Sequence, residues 1–194
     1  MALRKFITPE EYLRMERGSE EKHEYYNGEI FAMTGASEYH NIIVGSTIAS
    51  LYTQLRKKPC QIYPSDMRVR IPATGLYTYP DISVVCGTPE FEDDGLDTLL
   101  NPTVIIEVLS SSTEQYDRGK KFQHYRTIAS LKEYILIAQD SIRIEHFARR
   151  EDQWILTDAK TSDSVLSLPS IECTLALSDV YEKVNFDGTQ GTIP

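Results

Sequence analysis

The chain has 194 residues, 41% of them hydrophobic, and a formal net charge of −9. That length suits one domain with a real core, and the composition excludes a disordered or fibrous chain. The acidic balance argues against a protein that coats nucleic acid through phosphate contacts, but not against an enzyme whose site is neutralised by metal ions.

Positive charge is local, in "LRKK" (55–58), "RVR" (68–70), "DRGKK" (117–121) and "ARR" (148–150). The start, "MALRKFITPEEY", has no apolar signal region, and no run approaches the roughly 18 apolar residues of a membrane span. Cys60, Cys86 and Cys173 are odd in number and outside CxxC spacing. They read as reduced core thiols of an intracellular protein, so a cytoplasmic chain without membrane contact is expected.

In chain order, "TPEEYLRME" opens a helix with a capping box, Thr8 and Glu11, and Pro9 at its first position. "HEYYNGEIFAM" reads as two short strands around Asn27-Gly28, a strong hairpin signal. "HNIIVGSTIASLYTQLRKK" has helical spacing and ends in basic residues before Pro59. Three strands follow, "CQIYPSDMRVRI", "YPDISVVCG" and "TVIIEVL". "SSSTEQYDRGKKFQHYRTIAS" is expected as one helix, with Ser111 and Glu114 at its start. "KEYILIA", "RIEHFAR" and "QWILTD" complete a sheet, and "SVLSLPSIECTLALSDVYEKV" adds small late elements. The order predicts a single α/β domain over 1–194: a mixed sheet flanked by helices, with a helix and hairpin in front. Its core spans about 20–140, followed by C-terminal strands and an extension over 141–194.

The chemistry begins with "PTVIIEVLS". Val104, Ile105, Ile106, Val108 and Leu109 form a strand covered on both faces, and Glu107 shares a face with Ile105 and Leu109. An unpaired buried carboxylate would cost several kcal/mol, so a basic side chain, a metal ion or a proton has to compensate it. Asp81 opens the preceding buried-type strand. Two carboxylates from neighbouring strands are what Mg²⁺ needs, since it keeps several waters and takes phosphate oxygens for the rest.

These stretches, with "HEYYNGEIFAMTGASEYHNII", "SDMRVRI", "NPTVIIEVLSSSTEQYDRGKKFQHYR" and "LKEYILI", resemble the Uma-type family of restriction-endonuclease-like proteins, within the PD-(D/E)XK nuclease superfamily. The resemblance implies a restriction-endonuclease-like core and Mg²⁺-dependent hydrolysis of DNA phosphodiesters, with Mn²⁺ as a substitute, by an endonuclease that pairs as a homodimer. By that resemblance Asp81 and Glu107 are catalytic metal ligands, joined by the carbonyl of Val108. The motif lysine is missing: two residues after Glu107 stands Leu109. The family match supplies Lys121 instead. At about 100° per residue Lys121 falls at the edge of the apolar face set by Phe122, Tyr125, Ile128 and Ala129, whereas Lys120 falls on the polar face. Glu24, His40 and Asp66 are supporting candidates: Glu24 as a water-mediated metal contact, His40 as a base or phosphate contact, Asp66 as an organiser of Arg68. Loops around 72–79 and 88–101 are expected to flank the site.

The four histidines show no zinc-ligand spacing, and no nucleophile elbow, phosphate loop or dinucleotide fingerprint is present. A two-carboxylate glycosidase lacks a sugar-stacking aromatic cluster. The chief rival is a catalytically inactive nucleic-acid- or protein-binding module on the same fold, which the missing motif lysine and the negative charge favour.

Overall fold

The structure is a computed structural model that describes residues 6–186. The beginning of the chain (1–5) and the end of the expected extension (187–194) lie outside the described residues. The elements run α1 (Pro9–Glu16), β1 (His23–Tyr26), β2 (Glu29–Ala32), α2 (Glu38–Leu55), β3 (Cys60–Pro64), β4 (Arg68–Ile71), β5 (Leu76–Thr78), β6 (Ile82–Cys86), β7 (Thr98–Leu99) and β8 (Val104–Leu109). There follow α3 (Glu114–Tyr116), a π-helical turn (Asp117–Lys121), α4 (Phe122–Tyr125), β9 (Glu133–Ala138), β10 (Ile144–Arg150), β11 (Gln153–Ala159), β12 (Val165–Leu168), β13 (Cys173–Ala176) and α5 (Leu177–Val180).

Local chemistry sets several of these boundaries. The Thr8 hydroxyl accepts from the Glu11 N–H at 3.2 Å while the Glu11 carboxylate accepts from the Thr8 N–H at 3.0 Å, closing the capping box of α1. Asn27 and Gly28 both take positive φ, +48° and +81°, as a two-residue hairpin turn matching the strand twist requires. Ser37 caps α2 by accepting from the His40 N–H.

A six-stranded mixed sheet, in the order β11-β10-β9-β8-β6-β3, carries the core; β8 and β9 are parallel and the other neighbours antiparallel. One face, with Val104, Ile106 and Val108, packs on Ile43, Leu51 and Leu55 of α2 and on the β12–β13 hairpin. The other, with Ile105 and Leu109, meets Tyr125 and Ile128 and the inner residues Val69, Ile71 and Leu76 of a second sheet, β2-β1-β5-β4-β7. Every residue of β8 and β9 is buried, as the continuous apolar runs predict for strands covered on both sides. No described helix is long and apolar enough to cross a membrane.

Three expectations are corrected. "CQIYPSDMRVRI" is not one strand: the turn after Pro64 divides it into β3, at the edge of the six-stranded sheet, and β4, in the second sheet. The helix over 111–130 is not continuous: it starts at Glu114, widens into the π-turn and ends at Tyr125. Thr113, not Ser111, stands at its N-cap and makes no side-chain capping bond; the Ser110 hydroxyl accepts from the Thr113 N–H in the preceding turn, and Gly119 weakens the middle. The Tyr134 hydroxyl donates to the Asp117 carbonyl at 3.0 Å, supporting the widened turn. Cys60 and Cys86 are not free thiols. They face each other in the β3–β6 register and form a disulfide, leaving Cys173 as the buried free cysteine. Antiparallel pairing sets two residues 26 apart in sequence directly opposite each other, which spacing alone cannot reveal.

Candidate active site at the end of the central strands

The β6–β8 register pairs Ile82 with Ile106, so Asp81, one residue before β6, stands across from Glu107. The Val108 N–H donates to Asp81 Oδ2 at 2.7 Å, and the Asp81 N–H lies 3.4 Å from Glu107 Oε2. In an extended strand the N–H and C=O of a residue point the same way, so the Val108 carbonyl also faces the Asp81 side.

Glu107 is 4% exposed, and its partners are specific. Lys121 Nζ stands 2.9 Å from Oε1, and the Tyr125 hydroxyl donates to the same oxygen at 2.8 Å. Lys121, 6% exposed, also lies 3.5 Å from both Glu24 and Asp117, while Lys120 is exposed. Helical direction and the π-turn act together here: the turn buries Asp117 and Lys121 side by side next to Glu107. Such turns are frequent at functional sites. Glu24, from β1, accepts from the Thr78 hydroxyl of β5, so the second sheet holds it toward the lysine. His40, in the first turn of α2, places Nε2 3.0 Å from Asp81 Oδ1. Ser37 performs the capping, so the imidazole serves the carboxylate.

The structure therefore brings together Asp81, Glu107, Lys121, Glu24 and His40. Asp66 does not join them. Its side chain is 88% exposed and pairs with Lys22 at 3.0 Å, because it lies in the turn between β3 and β4 and points outward. Nor does it organise Arg68, which bonds Thr98 and Tyr79 and lies 3.0 Å from Asp97. Of the two expected flanking loops, 72–79 contains β5 and reaches the site through Thr78. Segment 88–101 belongs to the second sheet instead, pinned by Arg17 to Asp93 and Asp97. Sequence reasoning missed Asp117, and it read Tyr125 as core alone. The i, i+4 spacing of Asp117 and Lys121 was the available signal.

Electrostatics set this cluster apart. Burial pushes the Glu107 carboxyl up to about 8, with Lys121 pulling against it and Asp81 and Asp117 adding to it. Burial also raises Asp117 against the pull of Lys121. Burial disfavours the Lys121 ammonium, but Glu107, Glu24 and Asp117 outweigh that and hold it charged. Three carboxylates thus surround one ammonium, and Asp81 adds a fourth beside Glu107. Among the described residues no three His, Cys, Asp or Glu side chains converge to hold a metal ion by themselves. A hard dication that keeps its waters needs only one or two carboxylates, and the excess of negative oxygen at Asp81, Glu107 and the Val108 carbonyl fits that demand.

The mixed α/β architecture, with its six-stranded central sheet between helices and a second sheet, is of the restriction-endonuclease-like class. The chain belongs to the Uma2 family, described as "Putative restriction endonuclease", whose sequence model matches residues 9–178. It is 36% identical to the uncharacterized protein slr1290 of Synechocystis over 181 residues, covering 93% of this chain and 94% of that one. It is 39% identical to the uncharacterized Synechocystis protein sll1609 over 159 residues, covering 81% and 90%. A crystal structure from Anabaena variabilis, described as a "putative nuclease belonging to DUF820", superposes with a TM-score of 0.75 at 20% identity, covering 91% of this chain and 98% of that one. That likeness carries the fold.

Proposed function

We propose that the chain is a metal-dependent endonuclease that hydrolyses DNA phosphodiester bonds, acting as one domain and as a homodimer. The observation that carries the activity is Lys121 at 2.9 Å from buried Glu107, which supplies from a helix the charge that Leu109 cannot supply from the strand. Asp81, Glu107 and the Val108 carbonyl would hold Mg²⁺, or Mn²⁺ in its place. When bound there the dication supplies Lewis acidity toward a phosphate oxygen and a water of lowered pKa.

The chain's own residues do the rest. Lys121, held charged by three carboxylates, orients the attacking water and stabilises charge developing on the phosphate; a proton-accepting role does not suit an ammonium so held. Tyr125, kept protonated by burial, fixes the direction of the Glu107 carboxylate by donating to it. His40 fixes Asp81 from the side of α2. DNA as substrate rests on the family; the two-fold assembly rests on the resemblance to restriction-type enzymes, which commonly pair two sites around a two-fold axis.

The test is a panel of linear, supercoiled, single-stranded and methylated DNA incubated with Mg²⁺ or Mn²⁺. Cleavage of at least one form is expected, abolished by chelator and by Glu107→Gln. Cleavage that survives the substitution overturns the assignment. Metal binding with no cleavage of any form selects a catalytically inactive nucleic-acid- or protein-binding module.

A further inference from the structure

A cleft of about 490 Å³ opens where the parallel strands β8 and β9 end, with Leu109 and Ala138 in its floor. The C-terminal edge of parallel strands is where open α/β sheets take ligands. Leu109 is two residues beyond Glu107, roughly 7 Å along an extended strand, which is within the reach of one nucleotide. The two places are also neighbours across the start of α2. Ser37, in the cleft wall, accepts from the His40 N–H and lies 2.5 Å from Gln139 Oε1, while His40 reaches Asp81.

The lining tells what the cleft can hold. None of the described residues around it is lysine or arginine, and Asp140 and Glu114 bring carboxylates, the latter paired with Arg118, so it is not built for a phosphate. Two rings line it, Tyr39, whose hydroxyl donates to the Asn185 carbonyl, and Phe186, which packs edge-on against Tyr181, and Gln139 brings an amide whose Oε1 accepts from Ser37 and whose nitrogen is left to donate. A carboxylate accepts from the amino group of cytosine, and a glutamine side chain matches the edge of adenine. The volume suits a single unstacked base, not a duplex.

Resting on the nuclease reading above, we propose that this cleft receives an unstacked base whose amino group adjoins a ring acceptor nitrogen, cytosine or adenine, of the nucleotide next to the scissile phosphate. Gln139 and Asp140 read its amino edge. The substrate class is then single-stranded or locally unpaired DNA, since a base stacked in a duplex cannot enter.

The experiment compares oligo-dC, oligo-dA and oligo-dT of equal length by fluorescence anisotropy, with Ca²⁺ replacing Mg²⁺ to prevent hydrolysis. Oligo-dC and oligo-dA should bind roughly tenfold more tightly than oligo-dT, the discrimination one well-paired side chain supplies. A double variant, Gln139→Ala with Asp140→Ala, should lose that gap while calorimetric Mn²⁺ binding stays as in the parent. Equal binding of all three strands by the parent overturns the cleft assignment and leaves the nuclease reading standing. So does a preference that persists in the double variant. Failure of every strand to bind, with no duplex cleaved either, overturns both.

Discussion

Two polar networks in this molecule differ in exposure and in charge balance: the first is partly open to solvent at Arg17, Asp93 and Asp97, whereas Lys121, Glu107 and Asp117 of the second are buried. Under the second sheet, Arg17 bridges Asp93 and Asp97, and Arg68 bonds Tyr79 and Thr98 beside Asp97. Glu16 there accepts from Tyr79 and from the backbone N–H of His23, whose ring lies 3.0 Å away. Three carboxylates meet two guanidinium groups and an imidazole, so the charges nearly cancel and the network ties α1, β4, β7 and the 88–101 segment together. At the strand ends, Glu24, Glu107 and Asp117 share Lys121, and Asp81, with the His40 ring on its outer oxygen, adds its charge next to Glu107, so that four carboxylates meet one ammonium and one imidazole. A fold that needed only cohesion would not leave that imbalance in its centre, because desolvated like charges repel. The balanced network ties the structure together; the unbalanced one carries an excess of negative charge, which raises the Glu107 carboxyl and which a bound cation would relieve.

Breaking the unbalanced cluster gives the largest effect. Lys121→Met should lower kcat by roughly 10²–10⁴-fold, the usual cost of losing a positioned charge or proton-transfer group. Calorimetric Mn²⁺ affinity should be unchanged or higher, because the lysine competes for Glu107. Lys120→Met, on an exposed neighbour of equal charge, should be nearly silent. Equal losses in the two would reduce the segment to a patch that attracts phosphate.

The balanced network responds in stability instead. Arg68→Ala should destabilise the fold by about 3 kcal/mol in denaturant titration, the low end for a broken buried pair since Asp97 is partly exposed. Metal affinity should not move. A variant that loses Mn²⁺ binding while remaining folded would show the two networks to be coupled.

Opposite pH slopes sharpen the contrast in chelated protein. The native chain binds the Glu107 proton more tightly than the unfolded chain does. That contribution is therefore full at low pH and is lost as pH rises from about 4.5 to about 8. Hydrogen bonds from Arg17 hold Asp97 and Asp93 below the ordinary aspartate range. Their contribution is present above that range and lost as pH falls through it. Thermal melts across this span should show Glu107→Gln flattening the decline toward neutral pH and Arg17→Met shrinking the acid-side loss. Crossed effects would defeat the comparison.

The smallest effect is expected at the pair that belongs to neither network. Asp66→Ala should leave turnover unchanged and cost at most about 1 kcal/mol, because its link to Lys22 is solvent-exposed.

Much of this was legible in the sequence where local chemistry decides. The capping box at Thr8, the Asn27-Gly28 turn and the doubly covered strand around Glu107 each follow from residue type and spacing, and each is present in the fold. The Asp81–Glu107 pairing followed from two acidic residues on consecutive buried strands, which an antiparallel register then aligned. Lys121 is buried and Lys120 exposed, as a wheel at about 100° per residue expects, although the π-turn changes that rotation and Ile128 and Ala129 lie beyond the helix. What stayed hidden depended on partners distant in the chain. The disulfide came from the β3–β6 register, and the exile of Asp66 from an outward turn. The recruitment of Glu24 came from a second sheet that brings β1 and β5 over the helix. The π-turn is the clearest case. A sequence pattern specifies which side chains share a helical face, but only the surrounding Tyr134, Glu107 and Glu24 make it favourable to widen one turn and bury an aspartate and a lysine together.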